Sequence, residues 1–163
     1  MAPQTEQVRQ TTLVLDDKDY EIMRLLQENA KLTIREIASK VHLSPTPTHE
    51  RIKRMEREGV IRKYVALLDN RKINKGIIVI VQISLKVHNK KAAQEFIDAV
   101  LNFKEVTECY NISGDFDFML KIVTESMESF HSFSMNKLSE IPGIAQTKSI
   151  FVMDTIKDTH HLL

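Results

Sequence analysis

The chain has 163 residues, a formal net charge of +1 and 42% hydrophobic residues, which is enough apolar material for a packed core and excludes wholesale disorder. No apolar run approaches the roughly 18 residues of a membrane-spanning helix, and Met1 to Thr12 lacks the apolar centre of a secretion signal. A cytoplasmic protein with no membrane partner is expected, and the single cysteine, Cys109, excludes an internal disulfide.

Residues 1–14 read as a flexible arm, and residues 15–64 as a helical domain. Asp16 suits an N-cap, because its carboxylate can accept from the free amides of a first turn, and Asp17 and Asp19 then lie near the positive end of the helix dipole. Leu15 and Tyr20 are placed as a hydrophobic staple, Ile22, Leu25 and Leu26 follow at helical spacing, and Asn29 ends the helix. Thr33-Ile34-Arg35-Glu36 is a capping box that opens a second, short helix whose apolar face is Ile34, Ile37, Ala38 and Val41.

His42-Leu43 is a tight connection to a third helix. Ser44 stands at its N-cap and Pro45 at its first position, where a missing N–H costs nothing. Thr48, Ile52, Met55 and Gly59 share one face, while Thr46, His49, Glu50, Lys53, Arg54 and Arg57 point elsewhere. From Pro45 to Lys72 there are 8 basic against 4 acidic residues, a weak sign of a polyanionic partner. Val60 to Leu68 alternates loosely and reads as extended, running into a strand or linker hinge over residues 65–76.

Residues 77–155 change character. Val81, Ile83, Leu85 and Val87 alternate with polar residues as a strand, and Asn89 to Leu101 is an amphipathic helix. Val106 to Ser113 is a second strand, in which Cys109 reads as a small core residue, Gly114-Asp115-Phe116-Asp117 a turn and Phe118 to Val123 a third strand. Ser126 caps a helix that runs through Leu138 with Phe130 and Phe133 inward, and Pro142-Gly143 breaks the chain before a last strand, Ile144 to Met153. The order β-α-β-β-α-β is the ferredoxin-like plan, so the fold class is α+β. Residues 156–163 read as a tail, and His160-His161 as its solvated end rather than a metal site.

Three helices with a short middle one, a tight turn and a basic third helix make a helix-turn-helix, whose third helix is narrow enough for the major groove of double-stranded DNA. The candidate contacts are Ser44, Pro45, Thr46, Thr48, His49, Glu50, Arg51, Lys53, Arg54 and Arg57. Thr46, His49 and Glu50 would set base preference, and Arg51, Lys53, Arg54 and Arg57 would meet phosphates, with Arg51 ranked below the others because it can be internal to the fold. No catalytic motif is present, and four glycines build no phosphate cradle, so an enzyme and a cofactor are not expected. The alternative is a ferredoxin-like assembly module whose helical domain binds protein rather than DNA.

The residues also resemble the Lrp/AsnC, or feast/famine, family of regulators, from about Leu15 to Met153. The matching stretches are Leu15-Asp16 with Asp19, Ile22 and Leu26, then Ile37-Ala38, Leu43-Ser44 with Pro47, Arg51 to Glu56, Gly59-Val60-Ile61, Gly114, Asp117 and Pro142-Gly143-Ile144. The resemblance implies a winged helix-turn-helix, a swapped or paired linker strand, and an amino-acid-sensing β-sandwich homodimer that builds octamers or other assemblies of dimers. It departs at Thr48, where the family tends to valine, and at His49 and Glu50, where a basic residue is usual. Glu50 repels phosphate but can accept from a cytosine amino group, so a different operator preference is expected.

The resemblance places an effector at the turn Ser113, Gly114, Asp115 and Asp117, in a crevice between subunits. Backbone amides there can take a carboxylate and Asp115 or Asp117 an ammonium, the two charges of a free amino acid. Thr147 and Ser149 of the neighbouring subunit are expected to complete the pocket. The pair Asp115 and Asp117 alone is a poor metal site, and no metal is expected.

Overall fold

A computed structural model describes residues 14–163, so the expected arm lies, apart from Val14, outside the described residues. The chain divides into two compact units, one running through Ala66 and joined by Asp158–Leu163, the other spanning Leu67–Lys157.

The first unit holds helices α1 (Asp17–Glu28), α2 (Ile34–Lys40) and α3 (Pro45–Arg57). Asp16 opens α1 with a full capping box: its Oδ1 accepts the Asp19 N–H at 3.0 Å, and the Asp19 carboxylate accepts the Asp16 N–H at 3.1 Å. Thr33 and Glu36 do the same for α2, at 3.3 and 2.7 Å. Ile22, Met23, Ile37, Val41, Ile52 and Met55 form the buried core, with Leu15, Leu32, Leu43 and Ile61 packed at its margin.

The junction between α2 and α3 is a Schellman turn. Leu43 N–H donates to Ala38 O at 2.9 Å and His42 N–H to Ser39 O at 3.4 Å, which puts His42 in the left-handed region at φ +56°. Gly59, at φ +74°, also ends α3 with a left-handed residue, its N–H donating to Glu56 O at 3.1 Å. Beyond it residues 60–68 carry no strand, and Tyr64, Val65, Leu67 and Leu68 stay exposed. The tail is exposed, His160 and His161 included, and its backbone also bonds to α1. Gln27 Nε2 donates to His160 O at 3.1 Å, and Gln27 Oε1 accepts from Leu162 N and Leu163 N at 3.3 and 3.2 Å.

The second unit has the ferredoxin-like plan. Its elements are β1 (Ile77–Leu85), α4 (Lys90–Val100), β2 (Val106–Asn111), β3 (Phe118–Thr124), α5 (Met127–Phe133) and β4 (Ile144–Phe151), in a four-stranded antiparallel sheet of order β2-β3-β1-β4. Val79, Val81, Ile83 and Leu85 alternate inward and meet Leu120 and Ile122 from β3, with Phe96 and Val100 of α4 and Phe130 and Phe133 of α5 covering that face. The other face carries Ile78, Ile80, Met119 and Val123, half-buried, and Ile150, exposed.

Several expectations shift here for local reasons. Asn89 caps α4 through Ala92 N at 2.8 Å rather than lying within it, and Leu101 is 74% exposed beyond its end. Val87 lies past β1 and is exposed, because the strand register breaks between Ser84 and Leu85. Cys109 is exposed on the edge strand β2, not core, although the neighbouring protein still desolvates its thiol enough to raise its pKa. The helix expected through Leu138 changes at Phe133 into a π turn, Ser134–Leu138, closed by Ser139 N–H to Ser134 O at 2.9 Å. An α-helix would aim Lys137, four residues after Phe133, at the sheet; the extra residue of the π turn brings Leu138 there and leaves Lys137 out.

Candidate nucleic-acid interface and effector turn

Helix α3 begins without a side-chain cap. Ser44 is extended, at φ −78° and ψ 157°, but its hydroxyl makes no capping bond. The third helical position is Pro47, which has no N–H to offer. Ser44, Pro45, Thr46, His49, Glu50, Lys53 and Arg57 are exposed. Thr48 is a correction to the candidate set: it is fully buried and its hydroxyl donates to Ser44 O at 3.0 Å, so it shapes the first turn and presents no side chain outward.

The cations of α3 differ in what holds them. Arg51 Nη1 bridges Asp16 Oδ2 at 2.7 Å and Asp19 Oδ1 at 2.9 Å, and Arg54 Nη2 meets Asp19 Oδ2 at 2.5 Å. Asp19 has no exposed surface. The hydrogen bond from Arg51, backed by the Asp19 amide, holds the Asp16 carboxyl below its ordinary 3.8, and the same carboxylates raise the Arg51 guanidinium. Lys53 pairs with Glu56 at 2.7 Å and Arg57 with Glu58 at 3.2 Å, both on the surface, where such pairs exchange readily. Arg51 and Arg54 therefore bind α3 to α1, while Lys53 and Arg57 are the more available pair. Two carboxylates three apart on α1 facing two guanidiniums three apart on α3 was the sequence signal for this cluster.

The second candidate lies between β2 and β3. Gly114 sits at φ +115°, a region other residues enter with strain, and Asp115 is exposed without an ion pair or hydrogen bond among the described residues. Asp117 is engaged. Its Oδ2 accepts the Leu85 N–H at 2.7 Å, its Oδ1 lies 2.9 Å from His88 Nδ1, and its own N–H donates to Ile83 O at 2.8 Å. Asp117 thus ties the turn to the end of β1, where the register breaks. Ser113 is exposed in the turn. Thr147 and Ser149 lie opposite Ile83 and Val81 on β4, with β1 standing between them and β3, so one chain does not bring them to the turn.

Residues 15–62 match the family model described as winged helix-turn-helix DNA-binding, and residues 78–162 match that of the Lrp/AsnC ligand binding domain. The leucine-responsive regulatory protein of Haemophilus influenzae is 37% identical over 149 residues, covering 91% of this chain and 90% of its own. An AsnC family transcriptional regulator from Agrobacterium tumefaciens has a solved structure with TM-score 0.87 and 38% identity, over 91% of this chain and 97% of that one. A transcriptional regulator from Neisseria meningitidis, solved as an L-Met complex, has TM-score 0.87 and 33% identity, over 92% of this chain and 97% of its own.

Proposed function

The chain belongs to the Lrp/AsnC family of transcription regulators, and from that premise we propose how its two units divide the work. The first unit reads double-stranded DNA with α3. Ser44, Pro45 and Thr46 lead into the major groove, His49 and Glu50 set base preference, and Lys53 and Arg57 exchange their surface carboxylates for phosphates. Arg51 and Arg54 hold the helix at its angle, and any phosphate contact they make is secondary to that. The observation that carries this reading is the exposed polar stripe of α3, fastened to α1 by the Asp16, Asp19, Arg51 and Arg54 cluster.

The second unit binds a small effector, a free amino acid, at Ser113, Gly114 and Asp115. The Neisseria relative solved with L-Met supports that ligand class. Asp117 acts by positioning the turn, and Thr147 and Ser149 enter from a second copy. The protein works as a homodimer, with octamers or other assemblies of dimers above it, needs no cofactor, catalyses no reaction and resides in the cytoplasm with its DNA. No helix among the described residues is long and apolar enough to cross a membrane.

The test is fluorescence anisotropy on labelled duplexes across a salt series. Phosphate contact requires affinity to fall with salt, and Lys53→Ala or Arg57→Ala should flatten the slope by about one unit each. His49→Ala or Glu50→Ala should change sequence preference by about 1–3 kcal/mol at an affected base pair. Salt-independent binding, or none, would move the first unit to a protein-binding role. A melting-temperature screen against free amino acids identifies the effector, because a ligand bound only by the native state raises stability.

A further inference from the structure

The segment that leaves α3 does not run away from the reading helix but returns along it. Ile61 packs on the core of the first unit, with its N–H donating to Met55 O at 3.0 Å. Three residues later the Tyr64 hydroxyl donates to Glu56 Oε1 at 3.0 Å. Glu56 also holds Lys53 through its other oxygen at 2.7 Å, and positions 49, 53 and 56 share one face of α3. Tyr64 is therefore fastened to the stripe that carries His49 and Lys53. Half of its surface is still open, and burial of the ring, together with the bond to Glu56, holds its phenol up at about 12, a protonated donor across the physiological range.

Between these two anchors stand Arg62 and Lys63, both exposed. Among the described residues neither has a carboxylate within ion-pair distance, whereas all four cations of the second half of α3 do. Two cations without a carboxylate partner among the described residues, held by an anchor on either side next to a polar helix stripe, suit a partner that brings closely spaced negative charge. An acidic protein surface would need its carboxylates arranged for this chain, while every duplex offers phosphates at a fixed spacing.

We propose that Arg62 and Lys63 form a second contact with the DNA backbone, beside the groove entered by α3, and that Tyr64 is the residue that positions them through Glu56. This rests on the reading of α3 as the DNA-reading helix. The contact carries affinity without sequence preference and sets the register from which His49 and Glu50 meet the bases.

Anisotropy titrations of the full-length protein on a specific and a random duplex, each across a salt series, test it. Arg62→Ala with Lys63→Ala should weaken binding to both duplexes at least tenfold at about 0.1 M salt and lower the salt slope by about two units. Tyr64→Phe keeps the ring and removes the hydroxyl; it should weaken both duplexes severalfold. Lys90→Ala with Lys91→Ala, which removes the same charge from α4, should leave affinity and slope as they were. Melting curves matching the wild type show that the variants are folded, and Arg62→Gln with Lys63→Gln repeats the test with longer side chains. Unchanged affinity and slope in the folded double variants overturns the proposal, and so does an equal loss in the α4 control, which would make the effect one of net charge. Wild-type protein that binds no duplex sinks the reading of α3 itself.

Discussion

Asp19 is a carboxylate with no exposed surface, tolerated because two guanidiniums and a backbone amide reach it. Removing it strands Arg54 and leaves Arg51 with Asp16 alone, and both guanidiniums are about a third exposed, so part of the cost is recovered by water. Asp19→Ala should destabilise the protein by roughly 2–3 kcal/mol in urea titrations, with DNA affinity falling as α3 loosens. Acid should act on the same region. Asp16, through Arg51, and Glu36, through the Thr33 amide, lie below their ordinary values of 3.8 and 4.5. A carboxyl lowered by folding lends stability that is complete above its ordinary value and lost as pH falls through the lowered one. The melting temperature should thus be insensitive to these groups at neutral pH and fall below about pH 4. His42 is a different matter, since its left-handed backbone strains a side chain that makes no hydrogen bond or ion pair among the described residues. His42→Gly should stabilise by about 0.5–1 kcal/mol, the relief of strain exceeding the added freedom of the unfolded chain. A lower melting temperature would show that the imidazole has a packing role.

The elements divide by what their ends do. α1 and α2 are closed by capping boxes, but α3 starts at Ser44 with no side-chain cap, and Pro45 and Pro47 remove two amide donors from its first turn. That difference leaves the Ser44 hydroxyl, exposed at the start of the reading helix, without a capping role. The turn between β2 and β3 divides its two carboxylates in a similar way. Asp117 is bonded to Leu85 N and His88, so Asp117→Ala should cost about 1–3 kcal/mol of stability as the Leu85 amide loses its partner. Asp115→Ala should leave the melting curve alone and reduce the affinity of a bound amino acid at least tenfold, about 1.4 kcal/mol, in calorimetry. The reverse pattern, with Asp115 silent for ligand, would put the ammonium site elsewhere. Gly114→Gln should lose effector binding too, because φ +115° strains any side chain.

At the scale of the whole molecule, among the described residues the helices of the second unit cover only one face of its sheet. Ile78, Ile80, Met119, Val123 and Ile150 stand there around the Lys121 and Glu108 pair at 2.9 Å. A second copy packed face to face would bury them by two-fold symmetry. Under the proposed homodimer, Ile80→Glu places two like charges near each other across the axis and should turn a dimer into a monomer at micromolar concentration in light scattering. A wild-type monomer at that concentration removes the dimer, and with it any pocket that needs Thr147 and Ser149 from a neighbour.

Local pattern was sufficient wherever one element's own residues decide its form. The caps at Asp16, Thr33 and Ser126, the proline start of α3 and the alternation of β1 are relations among residues a few positions apart, and those are legible in a linear chain. The ferredoxin-like order followed from them, because short connections and a single apolar face leave few ways to close the sheet. What needed the tertiary structure were the choices made between distant residues of similar type. Arg54 reads like Lys53 and Arg57 until α1 sets Asp19 against it, and Arg51, set apart in the sequence only as able to be internal, is given its partners Asp16 and Asp19 by the same helix. Asp117 reads like Asp115 until the end of β1 takes one of them. Tyr64 returned to Glu56 from beyond the helix end. In each case the physical reason is the same: a charge or hydroxyl is committed by the partner the fold brings to it, and the sequence around the residue does not name that partner.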